Sequence, residues 1–278
     1  IISIKKRVSI KEPHIEIKSK NLHISPGFLD LHTRIGEPGL EFKEDFNSGL
    51  KAAAQGGFTG IVHMPNTIPP IQNSSDIRST IKKTEKNIVD VFPTGCLTKN
   101  TEGKEITEIY DMIKSGAVAF TDDKKSIENA IVMNIAMEYS KQFNTVIMST
   151  CYDTNLCREG QINEGKFSTL LGMKGIPEIA EYIRIARDIE LTKYSNGKIH
   201  ISTVSTKKSF DLIKQAKKQG INISCDIGAH QLILSDDMLN DFNTNLKIFP
   251  PARDKKRIKE IIKQIKEGNI DVISSDHT

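Results

Sequence analysis

Nowhere in these 278 residues does an apolar run approach the roughly 18 residues needed to cross a bilayer, so no transmembrane helix is expected. Cysteine is scarce. Cys96, Cys151, Cys157 and Cys225 form neither CxxC pairs nor the dense spacing of a small disulfide scaffold, and they read as reduced core or strand-end thiols. A basic block interleaved with aromatics is also missing. The lysines behind the net charge of +4 are scattered over helix-like segments, which describes a solvated surface and predicts no nucleic-acid partner. The opening Ile1-Ile2-Ser3-Ile4-Lys5-Lys6-Arg7 lacks the charged, apolar and small-residue order of a secretory signal, so a cytoplasmic location without a membrane partner is expected.

With 37% hydrophobic and 27% charged residues, the chain can bury a sizeable core as one large α/β domain. Strand-like runs fall at residues 28–31, 60–64, 89–92, 117–120, 145–149, 198–202, 222–226 and 272–275. Between them lie segments of helical spacing at 43–55, 75–86, 106–115, 126–142, 176–191, 207–219 and 254–267. Ser126 and Asn129 precede one apolar run, and Gly220 and Gly268 follow lysine-rich last turns as helix stops. Strand-helix alternation carried to a count of eight predicts a parallel (β/α)8 TIM-like barrel over residues 25–278. Short strands within 1–8 and at 14–17, separated by Glu12-Pro13, predict a small accessory β-layer in residues 1–24.

Active-site residues of such barrels collect at the C-terminal ends of the strands. The first strand there reads Pro26-Gly27-Phe28-Leu29-Asp30-Leu31-His32-Thr33-Arg34-Ile35-Gly36-Glu37-Pro38-Gly39. The second ends His63-Met64-Pro65-Asn66-Thr67, and the fourth Gly116-Ala117-Val118-Ala119-Phe120-Thr121-Asp122-Asp123 followed by Lys124. Asn66 can serve a ligand or bond its own loop backbone beside Pro65. His63 reads as a strand-end histidine with a local hydrogen bond, and the aspartate pair beside two lysines as either a site or a solvated loop. Later strand ends read Ser149-Thr150-Cys151-Tyr152-Asp153, Ile199-His200-Ile201-Ser202-Thr203-Val204-Ser205-Thr206 and Asp226-Ile227-Gly228-Ala229-His230-Gln231-Leu232. Lys247-Ile248-Phe249-Pro250-Pro251-Ala252-Arg253 and Asp271-Val272-Ile273-Ser274-Ser275-Asp276-His277-Thr278 complete the set.

These stretches resemble the cyclic amidohydrolases, most closely the dihydroorotases, from Pro26 to Thr278. Their first strand reads Pro-Gly-Phe-Ile-Asp-Leu-His-x-His-x-Arg-Glu-Pro-Gly, with two metal-binding histidines and a substrate-binding arginine. The resemblance places His32 on the first metal ligand, Arg34 on the second and Gly36 on the arginine. It makes Asn66 a substrate contact, Asp123 a residue that bridges or faces the metals, and Asp276 the catalytic aspartate that shuttles the proton. Thr150 and Thr203 stand where the family keeps two further histidine ligands. Glu159-Gly160-Gln161-Ile162-Asn163-Glu164-Gly165 and Gly175-Ile176-Pro177 fix the register, so misalignment does not explain the loss. His200 lies three residues, about 10 Å, too early to replace the ligand missing at Thr203. Phe249 replaces an asparagine that contacts substrate.

Two readings follow from the resemblance. In the first, the chain is a non-catalytic dihydroorotase homologue of pyrimidine biosynthesis, with a vestigial metal site at His32, Asp123 and Asp276 and no zinc, or zinc held weakly. Its partner would be an aspartate transcarbamoylase or an active dihydroorotase, and homo-oligomers are expected. In the second, it is a working cyclic-amide hydrolase that interconverts carbamoyl aspartate and dihydroorotate at a remodelled mono-metal or metal-free site. In either case Arg34, always charged and carrying five donors, is expected to answer the two aspartates left by the metals.

Overall fold

Strand β1 (Phe28–Thr33) is followed along the chain by β2 (Phe58–His63), β3 (Asp90–Pro93), β4 (Ile147–Ser149), β5 (Ile162–Asn163), β6 (Gly175–Ile176), β7 (Ile199–Ile201), β8 (Ile223–Gly228) and β9 (Val272–Ser274). The computed structural model describes residues 5, 9–18, 20–21, 23–241 and 243–278. One parallel sheet runs β1-β2-β3, a second runs β4-β7-β8-β9, and β5 and β6 pair as a short parallel ribbon. Seven of the eight expected strands are therefore present as ladders.

The eighth expectation, a strand at 117–120, needs correction. Only Phe120 bridges both neighbours, Gly95 on one side and Ile147 on the other. Its amide donates to the Val146 carbonyl at 3.2 Å, and its carbonyl accepts from Met148 at 2.9 Å. Just beyond, Asp123 turns into the left-handed region at φ +55, so the extended run is too short for a ladder. At the opposite sheet edges Thr33 bridges His277, and the Arg34 amide donates to the His277 carbonyl at 3.0 Å. Hydrogen-bonded contacts thus pass from β1 through every other sheet strand and back to β1, with β5 and β6 outside the circuit.

The connecting helices are α1 (Phe46–Gln55), α2 (Ser74–Thr84), α3 (Ile109–Lys114), α4 (Ala130–Gln142), α5 (Thr154–Cys157), α6 (Lys166–Leu170), α7 (Ile179–Ser195), α8 (Lys207–Lys218) and α9 (Lys255–Lys266). Side-chain caps fix several starts: Asp45 accepts from the Ser48 amide, Asn129 from Ile131 and Asp254 from Arg257. The start of α4 is therefore Asn129, later than Ser126. Gly220 and Gly268 adopt φ of +77 and +70 after the last turns of α8 and α9, a conformation open to glycine at no steric cost. The main core lies between helices and sheets around Ile77, Met112, Phe120, Met133, Ile199 and Phe210. Each such side chain contributes about 1.5–3 kcal/mol by leaving water.

Residues 14–17 have no ladder partner among the described residues, and Ile15 and Ile17 are exposed. A lone extended segment has no second strand to pair with, so the expected accessory strand is not formed there. The strand expected within 1–8 lies outside the described residues except for Lys5. All four cysteines are free, and burial raises the Cys225 thiol to about 12, as inert core thiols require. Among the described residues no helix is long and apolar enough to cross a membrane.

A buried polar hub ties α7 to the loop after β7. Glu181, 1% exposed, accepts from the amides of Ser205 and Thr206 and from the hydroxyls of Ser209, Tyr152 and Ser205. Arg253 completes it, reaching Ser205, Tyr152 and, on β5, Asn163. Removing the carboxylate strands several buried donors at once. Glu181→Ala is expected to lower stability by about 3–5 kcal/mol in urea unfolding, with Glu181→Gln intermediate; an unchanged midpoint in Glu181→Ala would contradict this assignment.

Candidate functional site

Three segments converge on Arg34: the end of β1, the turn after Phe120 and the stretch after β9. Its side chain leaves β1 and is 7% exposed. Nε donates to Asp123 Oδ2 at 2.6 Å, Nη2 to Asp123 Oδ1 at 3.0 Å and to Asp276 Oδ1 at 3.1 Å, and Nη1 to Thr278 Oγ1 at 2.6 Å. The fork is bidentate on Asp123 and bridges to Asp276, the arrangement a planar guanidinium makes and an ammonium does not. Burial alone would lower the Arg34 pKa, but Asp123 and Asp276 more than offset it and raise it above the ordinary arginine value. Burial likewise opposes ionisation of Asp123, yet hydrogen bonds from His32 and Arg34 hold its carboxyl well below the usual range.

A second cation was not legible as part of this cluster. Lys124, in the position the resemblance gives to glycine, donates to Asp276 Oδ2 at 3.0 Å and to the Phe249 carbonyl at 2.8 Å. Burial, with Arg34 nearby, lowers its pKa although Asp276 pulls the other way. Two carboxylates thus face two cations. The signal available in the sequence was its place immediately after Asp123 at a strand end. The neighbouring Asp122 is no solvated loop residue, since it accepts from the Leu97 and Thr98 amides at 2.9 Å each.

His32 Nε2 lies 2.8 Å from both Asp123 Oδ1 and Arg34 Nη2. One ring nitrogen cannot donate to the carboxylate and accept from the guanidinium together, and Nη2 has two hydrogens for three neighbours. The two hydrogens serve the carboxylates, His32 donates to Asp123, and Nδ1 is left buried without a partner. Thr150 Oγ1 and Thr203 Oγ1 are also buried and unpartnered. Thr203 adopts φ +52, Asp123 φ +55 and Asp276 φ +54. Aspartate and histidine tolerate this region far better than a β-branched side chain, so the backbone at Thr203 has a shape that its present residue does not favour.

Asn66 is exposed and lines two adjoining cavities of about 310 and 530 Å3, both also walled by Arg34 and Thr278. Its side chain makes no hydrogen bond among the described residues, so it does not bond its own loop. A side chain at Gly36 would put its Cβ 2.3 Å from the Leu40 carbonyl oxygen, which closes that position to any larger residue. Phe249 packs on Tyr152 with ring centroids 4.5 Å apart. In the smaller cavity His277 Nε2 meets Glu44 at 2.7 Å, a pairing that sequence reasoning missed because the partners lie 233 residues apart.

His63 sits outside the cluster. Neither ring nitrogen has a partner in good hydrogen-bond geometry, and the ring rests edge-on against Phe46 at 5.3 Å. Burial dominates the opposing pull of the Glu37 and Thr33 backbones and lowers its pKa from 6.5 to about 4.

Parallel sheets with connecting helices and a polar cluster at the strand ends place the chain among the α/β proteins that carry their polar site at the strand ends. L-hydantoinase (dihydropyrimidinase) from Arthrobacter aurescens superposes with a TM-score of 0.77 at 22% identity, covering 91% of this chain and 58% of that one. D-hydantoinase from a Bacillus sp. AR9 gives 0.74 at 21% identity over the same shares. These similarities show the fold. Residues 22–209 match the dihydro-orotase-like family, and the chain belongs to it. It is 40% identical to a dihydroorotase of Acetivibrio thermocellus over 100% of this chain and 65% of that protein. Against one from Caldicellulosiruptor saccharolyticus the figures are 44% identity, 91% and 59%. The chain therefore spans a little under two thirds of the length of these relatives.

Two expectations follow, one for the cluster and one for His63. Arg34→Ala should cost about 3–5 kcal/mol at neutral pH by stranding Asp123 and Asp276. The loss should shrink in the Asp276→Asn background, because the two changes share a partner; a single variant as stable as the parent would refute the pairing. The His63 folded pKa is depressed, so the unfolded chain binds the extra proton between about pH 6.5 and 4. Its contribution is complete above 6.5 and lost as pH falls towards 4, up to about 3 kcal/mol. His63→Phe should flatten the slope of urea stability against pH across that window by about one proton, and an unchanged slope would contradict the assignment.

Proposed function

We propose that this chain is the barrel of a dihydroorotase-like protein of pyrimidine biosynthesis that has replaced a catalytic metal centre with an internal cation pair and acts as a structural or assembly partner. The partner, by the family resemblance, is an aspartate transcarbamoylase or an active dihydroorotase, in a cytoplasmic assembly that is also homo-oligomeric. The reading takes the circuit of strand contacts as a closed (β/α)8 barrel across residues 25–278. The observation that carries it is the Arg34 guanidinium bound to both Asp123 and Asp276.

Zinc in such a centre turns water into hydroxide and polarises an amide carbonyl. It lowers the water pKa from about 15.7 to about 7, worth up to roughly 12 kcal/mol. Catalytic zinc normally takes three nitrogen, sulfur or carboxylate ligands. Here the resembling positions hold Arg34, which cannot be a ligand, and Thr150 and Thr203, whose hydroxyls are poor ones. His32, Asp123 and Asp276 remain, with both aspartates already engaged by Arg34 and His32 beside it. The donor set does not fit catalytic zinc, and at most weak binding is expected.

The contact residues have changed in the same direction. Gly36 has no room for a side chain, and Phe249 offers a ring against Tyr152 in place of an amide. The second reading, a metal-free hydrolase, has one observation in its favour, the Glu44–His277 pair in a cavity wall beside Asp276. Against it, Asp276 is occupied by Arg34 and Lys124 and is not free to shuttle a proton.

Metal analysis and a dihydroorotate hydrolysis assay on the purified protein test the proposal together. Substoichiometric zinc and no hydrolysis are expected, and the combined Arg34→His, Thr150→His, Thr203→His variant should gain zinc but little activity. Full zinc occupancy in the parent, or turnover of about 1–10³ per second, would overturn it.

A further inference from the structure

His200, too early along β7 to be a metal ligand, belongs to a different constellation. It is directly opposite Ser224 in the β7–β8 ladder, so both side chains lie on the same sheet face, and Asp226 follows two residues on. His200 Nδ1 is 2.8 Å from Ser224 Oγ, and Nε2 is 3.2 Å from Asp226 Oδ2. His200 and Ser224 form the polar wall of a cavity of about 380 Å3. The rest of the wall is apolar, including Leu31, Val62, Phe92 and Met148, and it is built from β1, β2, β3, β4, β7, β8 and the segment leading to Phe120. Val62, Ala119 and Met148 pack together beneath it with Leu31 and Val146 against them, and the cavity opens above this floor, within the roughly 300–1,000 Å3 range of small-molecule sites. Leu29, Phe92 and Val118 at its rim are 49%, 38% and 41% exposed, which marks an entrance towards the N-terminal ends of the strands, away from Arg34.

The hydrogen-bond chain has a direction. Asp226 is fully buried, which opposes its ionisation, but His200 on one oxygen and the Thr203 amide on the other hold its carboxyl below the ordinary range. An ionised carboxylate only accepts, so His200 carries a hydrogen on Nε2, and the neutral ring then presents Nδ1 as an acceptor. Ser224 then donates to Nδ1 and turns its lone pairs to the cavity. Serine, histidine and aspartate in series resemble a nucleophilic triad, but the backbone amides of β7 and β8 here are paired in the ladder and offer no oxyanion hole. The constellation therefore recognises a ligand and does not cleave one.

We infer that this cavity is a second binding site, separate from the strand-end cluster, for a small apolar molecule bearing one hydrogen-bond donor, an alcohol or a phenol. The apolar wall takes the hydrocarbon body, as dry cavities in proteins do, and Ser224 Oγ accepts from the hydroxyl. The site does not depend on whether the protein is a dihydroorotase.

The test compares p-cresol with toluene, which has nearly the same body and no donor, by calorimetric or NMR titration of the whole protein. p-Cresol should bind roughly tenfold tighter than toluene, the difference one hydrogen bond makes. Binding should shift the His200 ring signals. Ser224→Ala should bring the two affinities together by weakening p-cresol alone. Val118→Trp, a change at the exposed rim, should block both probes, and it keeps the test decisive if Ser224→Ala does not fold. Failure of the native protein to bind either probe, equal affinity for both, or unimpaired binding in Val118→Trp would each overturn the inference.

Discussion

Two aspartates at the ends of different strands point into one buried space, and the fork of Arg34 holds them together. Like charges in a poorly solvated site repel or take up protons unless something positive lies between them. Arg34 meets that requirement from β1 with a pair of donors on Asp123 and a shared one on Asp276. Lys124 adds the second positive charge at Asp276, within reach of both its oxygens, and ties it to the Phe249 carbonyl. The three segments that carry these groups are distant in sequence, and the ion-pair cluster joins them at the point where β1 meets the end of the chain through Thr33 and His277. In effect the cluster supplies by side chains the positive charge that a metal centre supplies in a zinc hydrolase.

At Thr203 the backbone holds a shape that its β-branched side chain does not favour. Asp123, Thr203 and Asp276 all hold positive φ at strand ends. Strain of this kind persists where the surrounding structure enforces it. Around Thr203 the enforcement is visible: its amide is tied to Asp226, which in turn holds His200. A threonine there gains nothing from the conformation and leaves its hydroxyl buried without a partner.

Much of the architecture was legible because hydrophobic period and turn residues speak for themselves. The run Phe28 to Leu31 between Pro-Gly pairs became β1, and Asp254 and Gly268 bounded α9 as capping chemistry requires. The β5–β6 ribbon was not legible, since two-residue strands show no alternation. Residues 117–120 looked like a full strand, but the turn at Asp122 and Asp123 limits the ladder to Phe120. In the site, the family motifs located His32, Asp123 and Asp276, and the charge argument located Arg34. Lys124 escaped notice because two lysines after two aspartates read as a solvated loop. The Glu44–His277 and Ser224–His200–Asp226 contacts depend on strand register and loop path, which no spacing in the sequence encodes.

The central claim is that a guanidinium, and not a metal, neutralises Asp123 and Asp276. The most direct measurement is the side-chain 15N–1H spectrum of Arg34, recorded at neutral pH with and without one equivalent of zinc. A buried, fully engaged fork predicts slowly exchanging Nε–H and resolved Nη–H signals that zinc leaves in place. Rapidly exchanging, averaged signals like those of an exposed arginine, or their loss on adding zinc, would contradict the account.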